Sequence, residues 1–496
     1  MSSSSQSGGN ITAGFIDLAT FDELEKYNYG GADAITYFVR ESRRSTWFTH
    51  IPVTLTRSNS AEFNSSFHAS ISRAGDYMLY NWLRVVIPSV AINTVTLPGL
   101  TLRWTRNLMH NLVKEFYVSF NDLVEFRSDN YHLDFWTAFT VPASKRVGYN
   151  NMIGNFAELI NPTAVGAAAP GPTYDATMKG LILPEVALNL PLAHCHTRDS
   201  GIALPTAALP YNDMKLGFCF RSFSELLIID NPTSSALFGI QAGHSRSAKA
   251  IDLETGIAPV LKDVQVWANY AIVSNNERKL MGTNPRDILI EQVQTLHPTT
   301  FKPSENKSYD IRMSHAIKAL FWGVRNKTSD CEWSNYTSAS PDAYNGGSAG
   351  VNFNTHLAGD PITKVSIAYE NTSRINGMYS DYFALVMPYF HAVSIPEETG
   401  YHMYSYSLDI LSVDPMGSTN YGKLTNVSIT PESSTDAQVS SVAPVIGAVA
   451  AAGVYLNVVD RAAAGHHVAQ TFDFVLTAIN HNIVRISGGA LGFPVL

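Results

Sequence analysis

Three short stretches carry residues whose types and spacing could support chemistry. Gly346-Gly347-Ser348-Ala349-Gly350 matches G-x-S-x-G, the turn that presents a nucleophilic serine in α/β-hydrolases. That turn needs a buried strand delivering the serine and a helix leaving it. Here Asp342-Ala343-Tyr344-Asn345 precedes and Val351-Asn352-Phe353-Asn354 follows, so a loop is expected. His194-Cys195-His196 places imidazoles at i and i+2, which share one face of a strand and open the metal site of cupins. Asp199 lies close downstream, but the glutamate of the cupin spacing is absent and no partner histidine motif follows. A histidine pair near a strand end, without a metal, is the expectation. His466-His467 follows Gly465, and adjacent residues on an extended chain point apart. Phosphate-cradling G-x-x-x-x-G-K-S/T, dinucleotide-type G-x-G-x-x-G between strand and helix, and C-x-x-C are all missing. The sequence thus assigns no catalytic, cofactor-binding or metal-ligating residue, and no cofactor.

The elements that would have to position any such residue are mostly strands. Ile51, Val53 and Leu55 alternate with polar or proline neighbours, and Phe116, Val118 and Phe120 alternate before an Asn121-Asp122 turn. Val186, Leu188, Leu190 and Leu192 share one face, as do Met214, Leu216, Phe218 and Phe220. The second half repeats the habit in Val365, Ile367 and Tyr369, in Tyr404, Tyr406, Leu408 and Ile410, and in Phe472, Phe474, Leu476 and Ala478. Helix signals are few. Thr20-x-x-Glu23 and Ser274-x-x-Glu277 match the capping box, in which hydroxyl and carboxylate satisfy free amides at a helix start. Tyr131 to Phe139 fits helical spacing, and a strand nearly as well.

Between the halves, Asn231 to Pro259 is rich in Ser, Gly, Ala and Pro and loses the period-2 pattern, as a connector or long surface loop does. The expected division is an N-terminal arm with a short helix over 1–30, a first β-domain over 31–240, a linker over 241–262 and a second β-domain over 263–496. The expected class is all-β. Two such domains with long loops favour tandem antiparallel sandwiches of the jelly-roll kind, about eight strands each, with short helices. An uncharged run lies between Asp436 and Asp460, but its Ala, Gly, Ser and Val, with Pro444 and Asn457, point to a loop rather than a membrane span. The neutral stretch Pro162 to Pro172 is its counterpart in the first half.

Composition narrows the function. Lys and Arg total 34 against 42 Asp and Glu, a net charge of −8 with no basic run, which disfavours direct nucleic-acid binding. Charged residues make up 15% of the 496, well under the ~25% usual in soluble domains. Long neutral loops, or flanks covered by identical neighbours, would account for that. Cys195, Cys219 and Cys331 are too few for a disulfide framework and suit a reducing compartment. The start MSSSSQSGGNITAG has neither the charged nor the apolar region of a secretory signal. The sequons at Asn10, Asn64, Asn306, Asn326, Asn335, Asn371 and Asn426 are therefore expected to stay unglycosylated.

Longer strings carry a family likeness. They include Gly14-Phe15-Ile16-Asp17-Leu18-Ala19-Thr20, Thr36-Tyr37-Phe38-Val39-Arg40-Glu41, Ser72-Arg73-Ala74-Gly75-Asp76-Tyr77, YHLDFWTAFTVPASKRVGYNNMIGN from Tyr131 and RDSGIALPTAALPYNDM from Arg198. In the second half they are NYAIVSNNERKLMG from Asn269, SHAIKALFWGVRN from Ser314, DPMGSTNYGKLTNVSI from Asp414 and NIVRISGGALGFPVL from Asn482. In these strings, from end to end, the chain resembles the major capsid proteins of the iridoviruses, within the nucleocytoplasmic large DNA viruses. The resemblance implies two consecutive jelly rolls, a homotrimer of pseudo-hexagonal outline, and an icosahedral shell over an internal membrane. It also implies neighbouring capsomers and minor capsid proteins as partners, assembly in the host cytoplasm, residence in the virion and no enzymatic step. A jelly-roll lectin would more naturally carry a signal peptide and cysteine pairs, and a cupin-like enzyme would need more ligands than His194 and His196.

Overall fold

A computed structural model describes residues 10–40, 42–162, 180–231, 237–238, 240, 245–338, 359–442 and 469–493. The chain forms two compact units, Met1–Trp47 and Phe48–Leu496. In the first, Asn10 caps the helix Ile11–Ala19 by accepting the Thr12 amide at 3.0 Å. A second helix, Glu23–Tyr29, starts from Asp22, whose carboxylate accepts the Leu24 amide while Glu25 accepts that of Asp22. The capping box expected at Thr20 and Glu23 therefore lies two residues further on. Thr20 instead closes the preceding helix through its amide bond to the Ile16 carbonyl. Neither helix buries a residue, although Ile11, Phe15 and Leu18 form an apolar stripe at i, i+4 and i+7.

The second unit holds two lobes of antiparallel sheets. In the first lobe one sheet runs Phe48–Thr54, Lys262–Val273, Tyr77–Ile87, Val186–Pro191. The other runs Thr56–Arg57, Ser66–Ser70, Met214–Phe220, Val113–Phe120, Leu123–Asp129. Alternation decides what each strand buries: Met214, Leu216, Phe218 and Phe220 all point inward. Asn121 and Asp122 both take positive φ, 48° and 68°, the conformation a two-residue hairpin turn requires.

The second lobe pairs Arg286–Phe301, Phe472–Ser487, Ala316–Asn326 and His402–Ser405 in one sheet. Tyr309–Asp310, Val427–Ser433, Ile362–Tyr369 and Thr372–Tyr379 form the other. The strand expected through Ile410 ends at Ser405. There the Ser405 hydroxyl donates to the Ser407 carbonyl at 2.7 Å and Ser407 to that of Asp409 at 3.0 Å, so local side-chain bonds bend the chain out of the ladder.

The division between the lobes differs from the expected one. Lys262–Val273, assigned by composition to the linker end and second domain, lies in the first lobe between Phe48–Thr54 and Tyr77–Ile87, with Trp267 stacked on Trp82 at 5.9 Å. Within the expected linker, Ser245–Ser247 pairs with Leu227–Asp230. The actual bridge is the helix Asn275–Thr283. Ser274 is its N-cap residue, but its side chain makes no capping bond.

Tyr131 to Phe139 is helical, within Asn130–Thr140, and Asp129 caps it through the His132 amide at 2.8 Å. A further helix, Ala143–Ile153, follows Pro142 and stops at Gly154, whose φ of +80° suits a glycine terminator. Helix 130–140 belongs by connection to the first lobe and packs on the second. Phe139 and Trp136 meet Phe321 at 5.5 and 6.4 Å, and Phe135 meets Tyr336 and Tyr401 at 5.1 and 5.9 Å. The strand Ala316–Asn326 is thereby covered on both faces, which explains its unbroken burial from Ile317 to Asn326.

Candidate functional site: a charged seam between the lobes

Helix 130–140 and the strands it touches bring together side chains far apart in sequence, and the polar ones among them are buried. Arg103, on the strand Thr101–Trp104, donates from Nε to Asp230 at 2.7 Å and pairs through Nη2 with Glu332 of the second lobe at 2.8 Å. Burial works against the Arg103 charge, but the two carboxylates outweigh it and hold the guanidinium above its ordinary pKa. Beside it, Trp333 is sandwiched between guanidiniums of both lobes, Arg221 at 3.6 Å and Arg325 at 3.5 Å from the ring centre. Each arginine is anchored in turn: Arg221 donates to Asn130 at 2.7 Å and Arg325 to the Tyr131 hydroxyl at 3.2 Å.

A second cluster centres on the Asp134 carboxylate in helix 130–140. Oδ1 is bonded to His110 at 2.7 Å and accepts from Asn107 at 3.1 Å. Oδ2 accepts from two second-lobe hydroxyls, Ser334 at 2.5 Å and Tyr336 at 3.1 Å. Burial, then the nearby Asp134 charge, pushes the Tyr336 phenol well up, so it remains a donor at any physiological pH. In a third cluster Glu291 of the second lobe receives Lys318 at 2.5 Å and, from the first lobe, Arg198 at 2.7 Å. Arg198 also lies 3.7 Å over the Trp136 ring.

Such clusters do not simply add stability, because removing charges from water costs several kcal/mol per ion in proteins. What they add is direction. A hydrophobic seam tolerates sliding, whereas a guanidinium fork between two carboxylates, or a carboxylate with four donors, has one geometry. The arrangement fixes one lobe against the other through ion pairs and directed hydrogen bonds.

The residues singled out from sequence fall elsewhere. His194 is extended and Cys195–Thr197 form a short 3-10 turn, so the two histidines do not share a strand face. His194 Nε2 meets Asn81 at 3.0 Å, while His196 meets Glu125, seventy-one positions earlier, at 3.0 Å. Asp199 is exposed and joins neither. The three cysteines are free thiols. Gly346 to Gly350, His466-His467 and most of the runs after Pro162 and Asp436 lie outside the described residues. Among the described residues, no helix is long and apolar enough to cross a membrane. The seam itself had a faint sequence signal: Arg103 and Lys318 are charges set among apolar neighbours, whereas Glu332 sits in the polar stretch from Ser329 to Asn335 and gives none.

A chain of two stacked jelly-roll lobes, locked by a buried seam, defines a class of protein: the double jelly-roll shell proteins. Known proteins agree. Residues 36–273 match the family model described as major capsid protein N-terminus, and residues 277–492 that described as large eukaryotic DNA virus major capsid protein. The boundary between these models coincides with the end of the strand Lys262–Val273. The major capsid protein of Costelytra zealandica iridescent virus is 53% identical over 99% of this chain and 100% of its own length. That of Lymphocystis disease virus 1 is 47% identical over 99% and 100% of the two chains. In fold, the chain matches the PBCV-1 virus capsid with a TM-score of 0.68 at 18% identity, over 93% of this chain and 100% of that one. The Faustovirus major capsid protein matches at 0.60 and 11% identity, over 94% and 96%. The chain belongs to the major capsid proteins of the large eukaryotic DNA viruses, in the iridovirus group, and its place is the virion capsid.

Proposed function

We propose that this chain trimerises into capsomers of pseudo-hexagonal outline that tile an icosahedral shell over an internal membrane, without any catalytic step. Two similar lobes per chain make three chains a six-lobed tile, and a six-fold outline suits close packing on a near-flat facet. The observation that carries this reading is the seam, because a tile built from paired lobes needs their mutual angle fixed to close its edges against neighbours. The charge balance supports it. A chain with 15% charged residues and no basic run suits a tile flanked by copies of itself and separated from the genome by lipid. Its partners are then neighbouring capsomers and minor capsid proteins beneath the shell, with the internal membrane close by and no direct nucleic-acid contact. Assembly belongs to the host cytoplasm, where the free thiols stay reduced.

The N-terminal arm has the build of an assembly clamp, since its two capped helices bury no residue of their own. Deleting residues 1–30 is the test: trimers should form at normal yield while shells fail to assemble. Normal particles from the deleted chain would overturn the clamp role.

A further inference from the structure

Glu125, on the strand Leu123–Asp129, meets Cys195 and His196, in the turn after Val186–Pro191, with a carboxylate oxygen, a thiol sulfur and an imidazole nitrogen all within 4.8 Å of one another. All three residues are buried. Two donors on one tetrahedral zinc ion, each about 2.0–2.3 Å from it, lie about 3.3–3.8 Å apart, so donors within 4.8 Å of one another need only a small contraction to close on an ion.

Three details favour a cation over a bare ion pair. His196 Nδ1 is bonded to the Ile202 carbonyl at 2.8 Å, which places a proton on Nδ1 and turns Nε2 toward the cluster, the orientation that metal-ligating histidines take. Nε2 then lies 3.0 Å from both Glu125 oxygens, so imidazole and carboxylate already face one another across the position a cation would take. Finally, His194 is fully buried beside His196, ring centres 6.0 Å apart, with its Nδ1 lacking a partner.

We propose that Glu125, Cys195 and His196 hold a structural zinc ion. Soft thiolate with imidazole and carboxylate is a donor set that suits zinc. The thiolate and carboxylate balance the two positive charges, so the loaded site buries no net charge. Loading displaces the thiol proton and the proton on Nε2, two protons for one divalent cation. His194 would reach the fourth position only by turning away from Asn81, to which its Nε2 is bonded at 3.0 Å. The ion would staple the strand Leu123–Asp129 to the turn at 195–197. The second lobe already reaches the same strand, through the Gln292 amide on the Glu125 carbonyl at 2.8 Å.

The test uses the full-length chain, purified without a metal-binding tag, saturated with zinc under reducing conditions and desalted before elemental analysis. About one zinc per chain is expected, with Cys195→Ser and Glu125→Gln each binding at least about tenfold more weakly. Should those variants fail to fold, cobalt(II) loading of the unmodified chain gives the same answer, through a thiolate-to-cobalt charge-transfer band. Substoichiometric zinc in the saturated chain, or no such band with cobalt, would overturn the proposal. So would unchanged zinc in a folded Cys195→Ser variant.

Discussion

Replacing Arg103 by methionine keeps an unbranched apolar stem and removes the guanidinium fork. The consequence follows from the charges around it. With the arginine present, one guanidinium faces two carboxylates; without it, Asp230 and Glu332 are left buried with no cation between them. Losing one partner of a buried ion pair costs about 3–5 kcal/mol. Part of that cost is relieved if the carboxyls take up protons, and each unit by which a folded-state carboxyl pKa is raised corresponds to about 1.4 kcal/mol. A carboxyl with a folded pKa above its unfolded value destabilises the fold increasingly as pH rises through the folded value. The deficit of the variant should therefore be largest at pH 7 and narrow toward pH 4. Glu332→Gln, which leaves a neutral Arg103–Asp230 pair, should cost only about 1–2 kcal/mol. Urea unfolding followed by tryptophan fluorescence, at one fixed chain concentration, measures all three chains. Trp104 and Trp333 adjoin the site and report its opening. An Arg103→Met loss under about 1 kcal/mol at pH 7, or one that does not change with pH, would refute the idea that buried charge at the seam holds the lobes.

Asp76 ties the first lobe to the bridging segment by accepting the Val273 amide at 2.9 Å and two bonds from Arg278 at 2.7 and 2.9 Å. The Arg278 bonds hold this carboxyl below the usual aspartate range against some desolvation, so its contribution is complete above about pH 4 and disappears as pH falls through the lowered value. Asp76→Asn should lose about 1–2 kcal/mol at pH 7 and converge with the unmodified chain in acid, as read from melting temperatures across pH. Gly400 has φ +96°, and a Cβ there would lie 2.0 Å from the Tyr336 carbonyl oxygen. Gly400→Ala should cost about 3 kcal/mol or more, whereas Gly282→Ala, in a helix with open space around it, should be neutral or slightly stabilising, both checked by thermal melts.

How much of this was legible beforehand depended on the range of the interaction. Met214 to Phe220 and the Asn121-Asp122 turn could be read directly, because alternation and turn chemistry act between near neighbours. The helix at 130–140 was ambiguous because Asn130 through Phe139 are all buried, so no amphipathic stripe marks it. The lobe boundary was misplaced because Lys262–Val273 follows a loop-like stretch and returns across some two hundred residues to the first sheet, a pairing no local signal encodes. The seam was hidden for the same reason: nothing near Arg103 announces Glu332, and nothing near Asp134 announces Tyr336. His194 and His196 form a pair in the sequence, yet the residues that the structure groups are Glu125, Cys195 and His196.

The central claim is that two locked lobes make one-third of a tile. Light scattering of the purified soluble chain weighs that tile. The account predicts a single species of three times the 54.2 kDa chain mass, stable on dilution. A monomer at working concentrations, or a dimer, would contradict it.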